Sequence, residues 1–577
     1  MPTPAPTRAV APVGVREQAA VLAASALASV IAIWWSWQHH AFELFGDSEA
    51  HIHIARRLFD SRRPGLTQLG SVWLPFPHLI MVPFLLVDSW WRTGFAAVIP
   101  SAASYLLGCL GLYRLARKWL SPAAATIALI LFAANPNLLY LQTTAMNEPL
   151  FACELIWTAL LLVEWHQNLD HQKLARQGTG ERLWAVILVL ICAVFTRYDG
   201  WILAALAWLG MALCLYRRGR LFQGQFIFAS VVLLAAPVTW MTYNAVAFGD
   251  WLEFMRGPYS AKAIEMRTSS SMDNPHPGYH NPWVALIYFL KAAEMDAAKL
   301  GWGESISIAA ALGTAWAWFQ SQSRSRRANS SAIAPSQTDI AFTLLLWLPL
   351  PFYAYSVSYG YVPIFIPVWT PFSWYNTRYG MELLPALAFF FGFAAQWALN
   401  RVALHRPAFK PVLIAGLLAL EAVNVVLMLR EPPLTYVEGS KNASTRAGYT
   451  LQLGRALGRL HRQDPNGAVF MDTSTFPNVV AIAGLTYRQT INESDKEFYW
   501  AALGAPAAHA DIVLALANGE IAKAIQAHPE HLHLVESFHP TGNTWDQIPA
   551  KLYVTDTFPG RPKPSPAATS APPGAIR

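Results

Sequence analysis

The sequence predicts an α-helical polytopic membrane protein of about eleven transmembrane helices, followed by a small extracytoplasmic α/β domain. Three observations carry this. Of 577 residues, 54% are hydrophobic and only 13% charged, against roughly 25% charged in a soluble domain. Apolar runs long enough to cross about 30 Å of hydrocarbon recur up to residue 430. From Glu431 onward the pattern turns mixed and polar, with short apolar runs set between helical stretches.

The candidate spans are 19–38, 94–114, 122–141, 149–166, 183–196, 200–216, 224–247, 303–320, 339–357, 379–399 and 410–428. Residues 1–18 form a tail, Pro/Ala-rich at its start, and the run Ala19 to Trp37 lacks a small-residue cleavage site, so it is read as a span and not a removed signal peptide. Pro77 to Val87 is too short to span, reaching about 18 Å at 1.5 Å per residue, and Pro83 interrupts it. It is predicted to be re-entrant or interfacial. With that stretch outside, the clusters Arg114/Arg117/Lys118, Arg217/Arg218/Arg220, Arg324/Arg326/Arg327 and Arg401/Arg406/Lys410 all fall on the cytoplasmic side. The expectation is therefore a multi-pass protein of the cell (inner) membrane with a cytoplasmic N-terminus and an extracytoplasmic C-terminal domain. The net charge of +7 lies mostly in these short loops, which is an orientation signal and not a nucleic-acid footprint. All four cysteines, Cys109, Cys153, Cys192 and Cys214, lie in predicted spans, so no disulfide framework is implied.

The transmembrane part is expected to cover 19–430 and the α/β domain 431–558, with a Pro/Ala/Ser-rich, disordered tail over 559–577. Within the α/β domain, a helix near Tyr449 to His461 precedes apolar runs at Ala468–Met471, Asp511–Leu516, Leu532–Val535 and Leu552–Val554.

The outer segments hold nearly all the unusual residues. The stretch Phe45 to Asp60, FGDSEAHIHIARRLFD, reads as an amphipathic helix lying in the interface plane, with Ala50, Ile52, Ile54, Ala55, Leu58 and Phe59 on one arc and Glu49, His53, Arg56, Arg57 and Asp60 on the other. Asp47 and His51, four apart, fall on the apolar arc, where a charge needs a partner or a wet cavity. The plain alternative is that Asp47 only caps the helix. Glu148 precedes Pro149 at a span start, an arrangement that is also ordinary helix-start chemistry. Arg197 in FTRYDGW and Arg378 in SWYNTRYGMELLP both stand at outer mouths of spans, where a snorkelling anchor competes with an anion site. Lys262, Arg256 and Lys291 are weaker candidates, read first as solvated loop charge. Tyr353, Tyr355, Tyr359, Tyr361, Trp369, Phe372, Trp374 and Tyr375 read as an interfacial belt that would also suit a sugar or prenyl chain. His51, His53, His78, His276 and His280 show no diagnostic metal spacing, and in the α/β domain Asp472, Glu493 and Asp495 are worth testing.

Taken in order, GDSEAHIHIA, GSVWLPFPHLIMVPF, NEPLF, TRYDGW and NTRYGMELLP resemble the GT-C superfamily of polytopic glycosyltransferases, which includes protein O-mannosyltransferases and the aminoarabinose transferase of lipid A, and most of all bacterial mannosyltransferase-like members. The resemblance covers roughly residues 19–430. It implies transfer of a sugar from a polyprenyl-phosphate donor to a protein, lipid or glycan acceptor at the extracytoplasmic face of the bilayer. It further implies Asp47 as general base and Glu148 as the second-loop acidic residue, with Arg378 and Arg197 on the donor phosphate. His51, His78 and Tyr379 join them as substrate-binding residues. TTAMNEPLF offers one carboxylate where metal-dependent oligosaccharyltransferases carry a pair, so no metal ligands are assigned and a divalent metal is left open. A transporter or flippase of a lipid-linked or anionic substrate is the main competitor, though the charges gather at one face and no repeat is visible. A non-catalytic anchor presenting the α/β domain is the third reading.

Overall fold

The computed structural model describes residues 13–171, 179–268, 273, 275–299, 301–326, 335–540 and 547–559. Most of the N-terminal tail and residues 560–577 of the expected disordered tail lie outside the described residues. The chain packs as two compact units, Met1–Ala55 with Leu69–Ala443, and Arg56–Gln68 with Ser444–Arg577. The division differs from a boundary at 430 in two ways: most of the helix Leu434–Ser444 goes with the first unit, and part of the first outer segment goes with the second.

The first unit is helical. Among the described residues, eight helices are long and apolar enough to cross a membrane: Val15–Gln38, Phe95–Ala116, Glu148–Leu169, Asp199–Tyr216, Gly224–Phe248, Gln337–Tyr359, Thr377–His405 and Pro407–Ser444. The other expected spans are helical too, as Pro122–Ala133 with Pro136–Leu141, Thr179–Thr196 and Trp302–Arg326. The run 122–141 breaks because Asn135 accepts from the backbone of Asn137 and Leu138 and Pro136 starts a new helix. The first half of Leu384–His405 is buried on every side, with Phe389, Phe390 and Phe393 in the core, whereas Val15–Gln38 turns Leu27, Val30 and Ile31 outward, as a lipid-facing helix does. Trp302–Arg326 packs along Leu384–His405 so closely that a Cβ on Gly313 would sit 2.0 Å from the Phe390 carbonyl oxygen. Residues 248–302, expected on the outer side, contain a helix not foreseen from sequence, Pro282–Ala297, with Asn281 as its cap.

The stretch expected to be re-entrant forms the short helix Phe76–Leu85. Its lead-in is pinned by Tyr243 Oη donating to the Gly70 carbonyl at 3.1 Å and Tyr198 Oη donating to that of Val72 at 2.6 Å. The helix Gly46–Arg57 departs from expectation. Its polar arc does not face water, since Glu49, His53, Arg56, Arg57 and Asp60 are all buried. Burial is tolerated because these groups find partners within the protein, such as Asp60, which accepts from Arg56 Nε at 2.8 Å.

The second unit holds a five-stranded sheet: β1 (Val469–Met471), β2 (Thr490–Ile491), β3 (Ile512–Leu516), β4 (Leu532–Phe538) and β5 (Ala550–Thr555), in the order β2-β1-β3-β5-β4. β1 runs parallel to β2 and β3, while β5 runs antiparallel to β3 and β4. Residues 56–68 belong to this unit through side-chain bonds. Arg62 Nε donates to the Thr490 carbonyl at 2.8 Å, and Gln68 Nε2 and the Arg63 amide donate to Asp495 Oδ1 at 2.9 and 3.3 Å. Asp495 is thus an anchor for the loop. Glu493 accepts from the Thr473 amide and hydroxyl, both at 2.9 Å, and burial followed by neighbouring Asp472 pushes its carboxyl up to about 7.

Candidate active site

The site in the first unit is built around Arg378. Its local backbone comes from a left-handed Asn376 (φ 57), a conformation asparagine tolerates better than most residues, which feeds the 3-10 helix Thr377–Leu383. Gly380 lets that helix lie against Pro282–Ala297, because a Cβ there would stand 2.5 Å from the Ala293 backbone nitrogen. The turn is therefore wedged in place, and Arg378 with it.

Three carboxylates converge on the Arg378 guanidinium. Nη2 donates to Asp47 Oδ2 at 2.6 Å and Nη1 to Glu438 Oε1 at 2.5 Å, while Nε lies 3.3 Å from Glu148 Oε1 without the alignment of a hydrogen bond. The rings of Phe45 and Tyr379 flank the guanidinium, each about 5.0 Å from it. Asp47 does not cap its helix, which starts at Gly46; its side chain is 46% exposed, whereas Arg378 is 5% exposed. Glu148 is buried at the start of its helix, and neither of its oxygens has a hydrogen-bond partner.

Tyr379 links the second arginine to the first, its ring lying 5.4 Å from the Arg197 guanidinium. Arg197 is engaged by protein groups: Nη2 meets Glu382 Oε1 at 2.7 Å and Tyr353 Oη at 2.6 Å, and Nε is 3.3 Å from Asp199. Tyr353 in turn donates to Glu382 at 2.8 Å.

His51 and His78 are buried and share a hydrogen bond of 2.8 Å between His51 Nδ1 and His78 Nε2. Asn147 Nδ2 stands 3.4 Å from His51 Nε2. An amide nitrogen only donates, so His51 accepts at Nε2 and donates from Nδ1 to His78. Burial, then the charges of Arg378 and Arg197, lower His51 to about 3, and the imidazole is neutral at physiological pH. Trp73 packs on it with ring centroids 4.6 Å apart.

The structure thus brings Asp47, Glu148, Arg197, Arg378 and Tyr379 into one network, with the His51–His78 pair within electrostatic reach of both arginines. It does not bring in Lys262, which lies over Tyr361, nor Arg256 and Lys291, which pair with Asp250 and Glu304. His276 is held by Glu265 and the Val357 carbonyl. Of the aromatic residues read as a belt, Tyr355, Tyr359 and Phe372 are exposed, but Tyr353 belongs to the site. Glu438, Glu382 and Asp199 escaped the sequence reading. The TRYDGW and NTRYGMEL motifs contain Asp199 and Glu382, so position beside the arginines was a usable signal; nothing marked Glu438.

The carboxylates nearest one another already enclose a guanidinium, and among the described residues no group of three or more His, Cys, Asp or Glu side chains is placed to hold an ion. What the arrangement offers is a fixed cation beside a half-exposed carboxylate.

No protein-family model matches the chain, and no curated protein matches it. Among solved structures, ArnT from Cupriavidus metallidurans bound to undecaprenyl phosphate is similar to it with a TM-score of 0.50 at 12% identity, over 94% of this chain and 99% of that one. The apo state of ArnT from the same organism gives a TM-score of 0.50 at 12% identity, over 91% of this chain and 97% of that one. The Archaeoglobus fulgidus oligosaccharyltransferase in complex with Zn and sulfate is more distant, with a TM-score of 0.46 at 12% identity, over 91% of this chain and 72% of that one. Along nearly its full length, the chain shares its fold with ArnT.

Proposed function

We propose that this chain is a membrane glycosyltransferase that moves a sugar from a polyprenyl-phosphate donor to an acceptor hydroxyl at the extracytoplasmic face. The observation that carries the reading is the 2.6 Å pairing of buried Arg378 with half-exposed Asp47, in a fold shared with a protein crystallised on undecaprenyl phosphate. That pairing sets a phosphate-binding cation beside a proton acceptor.

In the reaction, the acceptor oxygen bonds to the anomeric carbon as the bond from that carbon to the phosphate oxygen breaks, with inversion. The electron pair leaves with the polyprenyl phosphate, and the hydroxyl proton passes to Asp47. A positioned base of this kind contributes about 10²- to 10⁴-fold. Arg378 favours the transition state because negative charge grows on the departing phosphate. Arg197, already bound by Glu382, Asp199 and Tyr353, acts on the phosphate at longer range and orients Tyr379. His51, neutral, and its partner His78 contribute to binding the sugar or acceptor hydroxyls, His51 without adding charge. With the site on the outer face, the N-terminus is cytoplasmic and the second unit extracytoplasmic.

The test is turnover of radiolabelled polyprenyl-phosphate sugars, mannose and aminoarabinose among them, by membranes bearing wild type or Asp47→Asn at equal expression. Transfer or donor hydrolysis by wild type, lowered at least about 100-fold in Asp47→Asn, is the expected result. A donor that wild type carries across the bilayer unchanged would leave a transporter instead.

A further inference from the structure

We propose that Glu438 is the positioning residue of the donor-phosphate site, an inference that rests on the transferase reading. Glu438 lies on the helix Leu434–Ser444, is 3% exposed, and receives four donors. The Asn376 amide donates to Oε1 at 2.8 Å and the Arg378 amide to Oε2 at 3.0 Å, the Thr377 hydroxyl donates to Oε2, and Arg378 Nη1 donates to Oε1 at 2.5 Å. One carboxylate thus holds both the peptide that carries Arg378 and one nitrogen of its guanidinium.

The choice of nitrogen gives the arrangement its consequence. In a guanidinium, Nε and Nη2 form the side-on fork that matches two oxygens of a phosphate. Here Glu438 occupies Nη1 and leaves that fork to Glu148 and Asp47. Neither oxygen of Glu148 makes a hydrogen bond, and Asp47 is the one exposed member of the three, so Asp47 is the group a phosphate can displace. A donor phosphate entering the fork takes the place of Asp47 on Nη2 and frees the Asp47 carboxylate for the acceptor hydroxyl. Glu438 keeps the guanidinium facing that way throughout the exchange. Donor binding and release of the base thereby become one event.

The experiment uses full-length protein in detergent, with undecaprenyl phosphate as the binding probe read by native mass spectrometry and donor turnover as the second readout. Glu438→Gln places an amide nitrogen among four donors. It should weaken probe binding and raise the donor KM by about 10-fold or more, the worth of a charge-assisted hydrogen bond, with a smaller change in kcat. Glu438→Asp, which restores the charge, should recover part of the loss. In an Arg378→Gln background, Glu438→Gln should add nothing, because its effect passes through the arginine. Wild-type probe binding and KM in Glu438→Gln, or equal losses in both backgrounds, would overturn the inference while leaving the transferase intact. If wild type neither binds the probe nor consumes a donor, the transferase reading itself fails. Should Glu438→Gln not fold, Thr377→Val removes a single donor and must shift KM in the same direction.

Discussion

Replacing Gly380 by alanine adds one methyl group at the place where the turn bearing Arg378 meets the helix Pro282–Ala297. The new Cβ would lie 2.5 Å from the Ala293 nitrogen and 2.6 Å from the Ala292 carbonyl carbon, where ordinary contact begins at 3.4 Å. Both obstacles are backbone, so no side chain can swing aside, and turn and helix must separate by about 1 Å. Overpacking of this kind costs about 1–3 kcal/mol, seen as a lower melting temperature of the purified protein. Arg378 is two residues away in the same 3-10 helix and moves with it, and a displacement of about 1 Å at a reacting group lowers rates by about 10²-fold. Gly416→Ala is the control, because a Cβ there meets nothing within 4 Å and helix propensity favours it. Initial rates of donor consumption and melting curves for both variants decide the matter. A Gly380→Ala protein with wild-type rate and stability would show that the turn is not wedged as described.

Other consequences are open to measurement. His51, outside the spanning helices, has a folded-state pKa of about 3 against 6.5 when unfolded, so between those values the unfolded chain binds more protons and stability falls as pH drops from 6.5 toward 3. His51→Asn should flatten the melting temperature across that window. Asp495→Ala leaves Gln68 Nε2 and the Arg63 amide without their shared acceptor, a loss of about 1–3 kcal/mol that should speed tryptic cleavage after Arg62. An unchanged cleavage rate would remove Asp495 as the anchor. Tyr353→Phe deletes the hydroxyl between Arg197 and Glu382, at 2.6 and 2.8 Å, and should lower stability by about 1.5–3 kcal/mol while the stacking of Tyr353 on Tyr379 persists.

Helices were legible because hydropathy reports directly what lipid demands, and every expected span contains helix. Breaks within them were legible in principle, since Asn135–Pro136 is a cap followed by a helix start, and Asn281–Pro282 announces the helix hidden between two expected spans. The charged candidates stood out as carboxylates and arginines at span ends, where such groups need a reason. Glu438 did not, because what distinguishes it is a partner 60 residues earlier, and no local period encodes that pairing. Tyr353 was hidden among aromatics of similar type, only some of which face outward. β2, two residues long, has no pattern to read.

The second unit is not one continuous piece of chain, since Arg56–Gln68 completes a body otherwise formed by Ser444–Arg577. During synthesis, that early segment emerges hundreds of residues ahead of the strands it binds. Arg62 must wait for the Thr490 carbonyl and Gln68 for Asp495, so assembly of this unit is a late step of high contact order. A fragment starting at Ser444 would lack those bonds from the outset. To express the unit alone, residues 56–68 must be supplied, either as a peptide in trans or fused to the fragment through a linker.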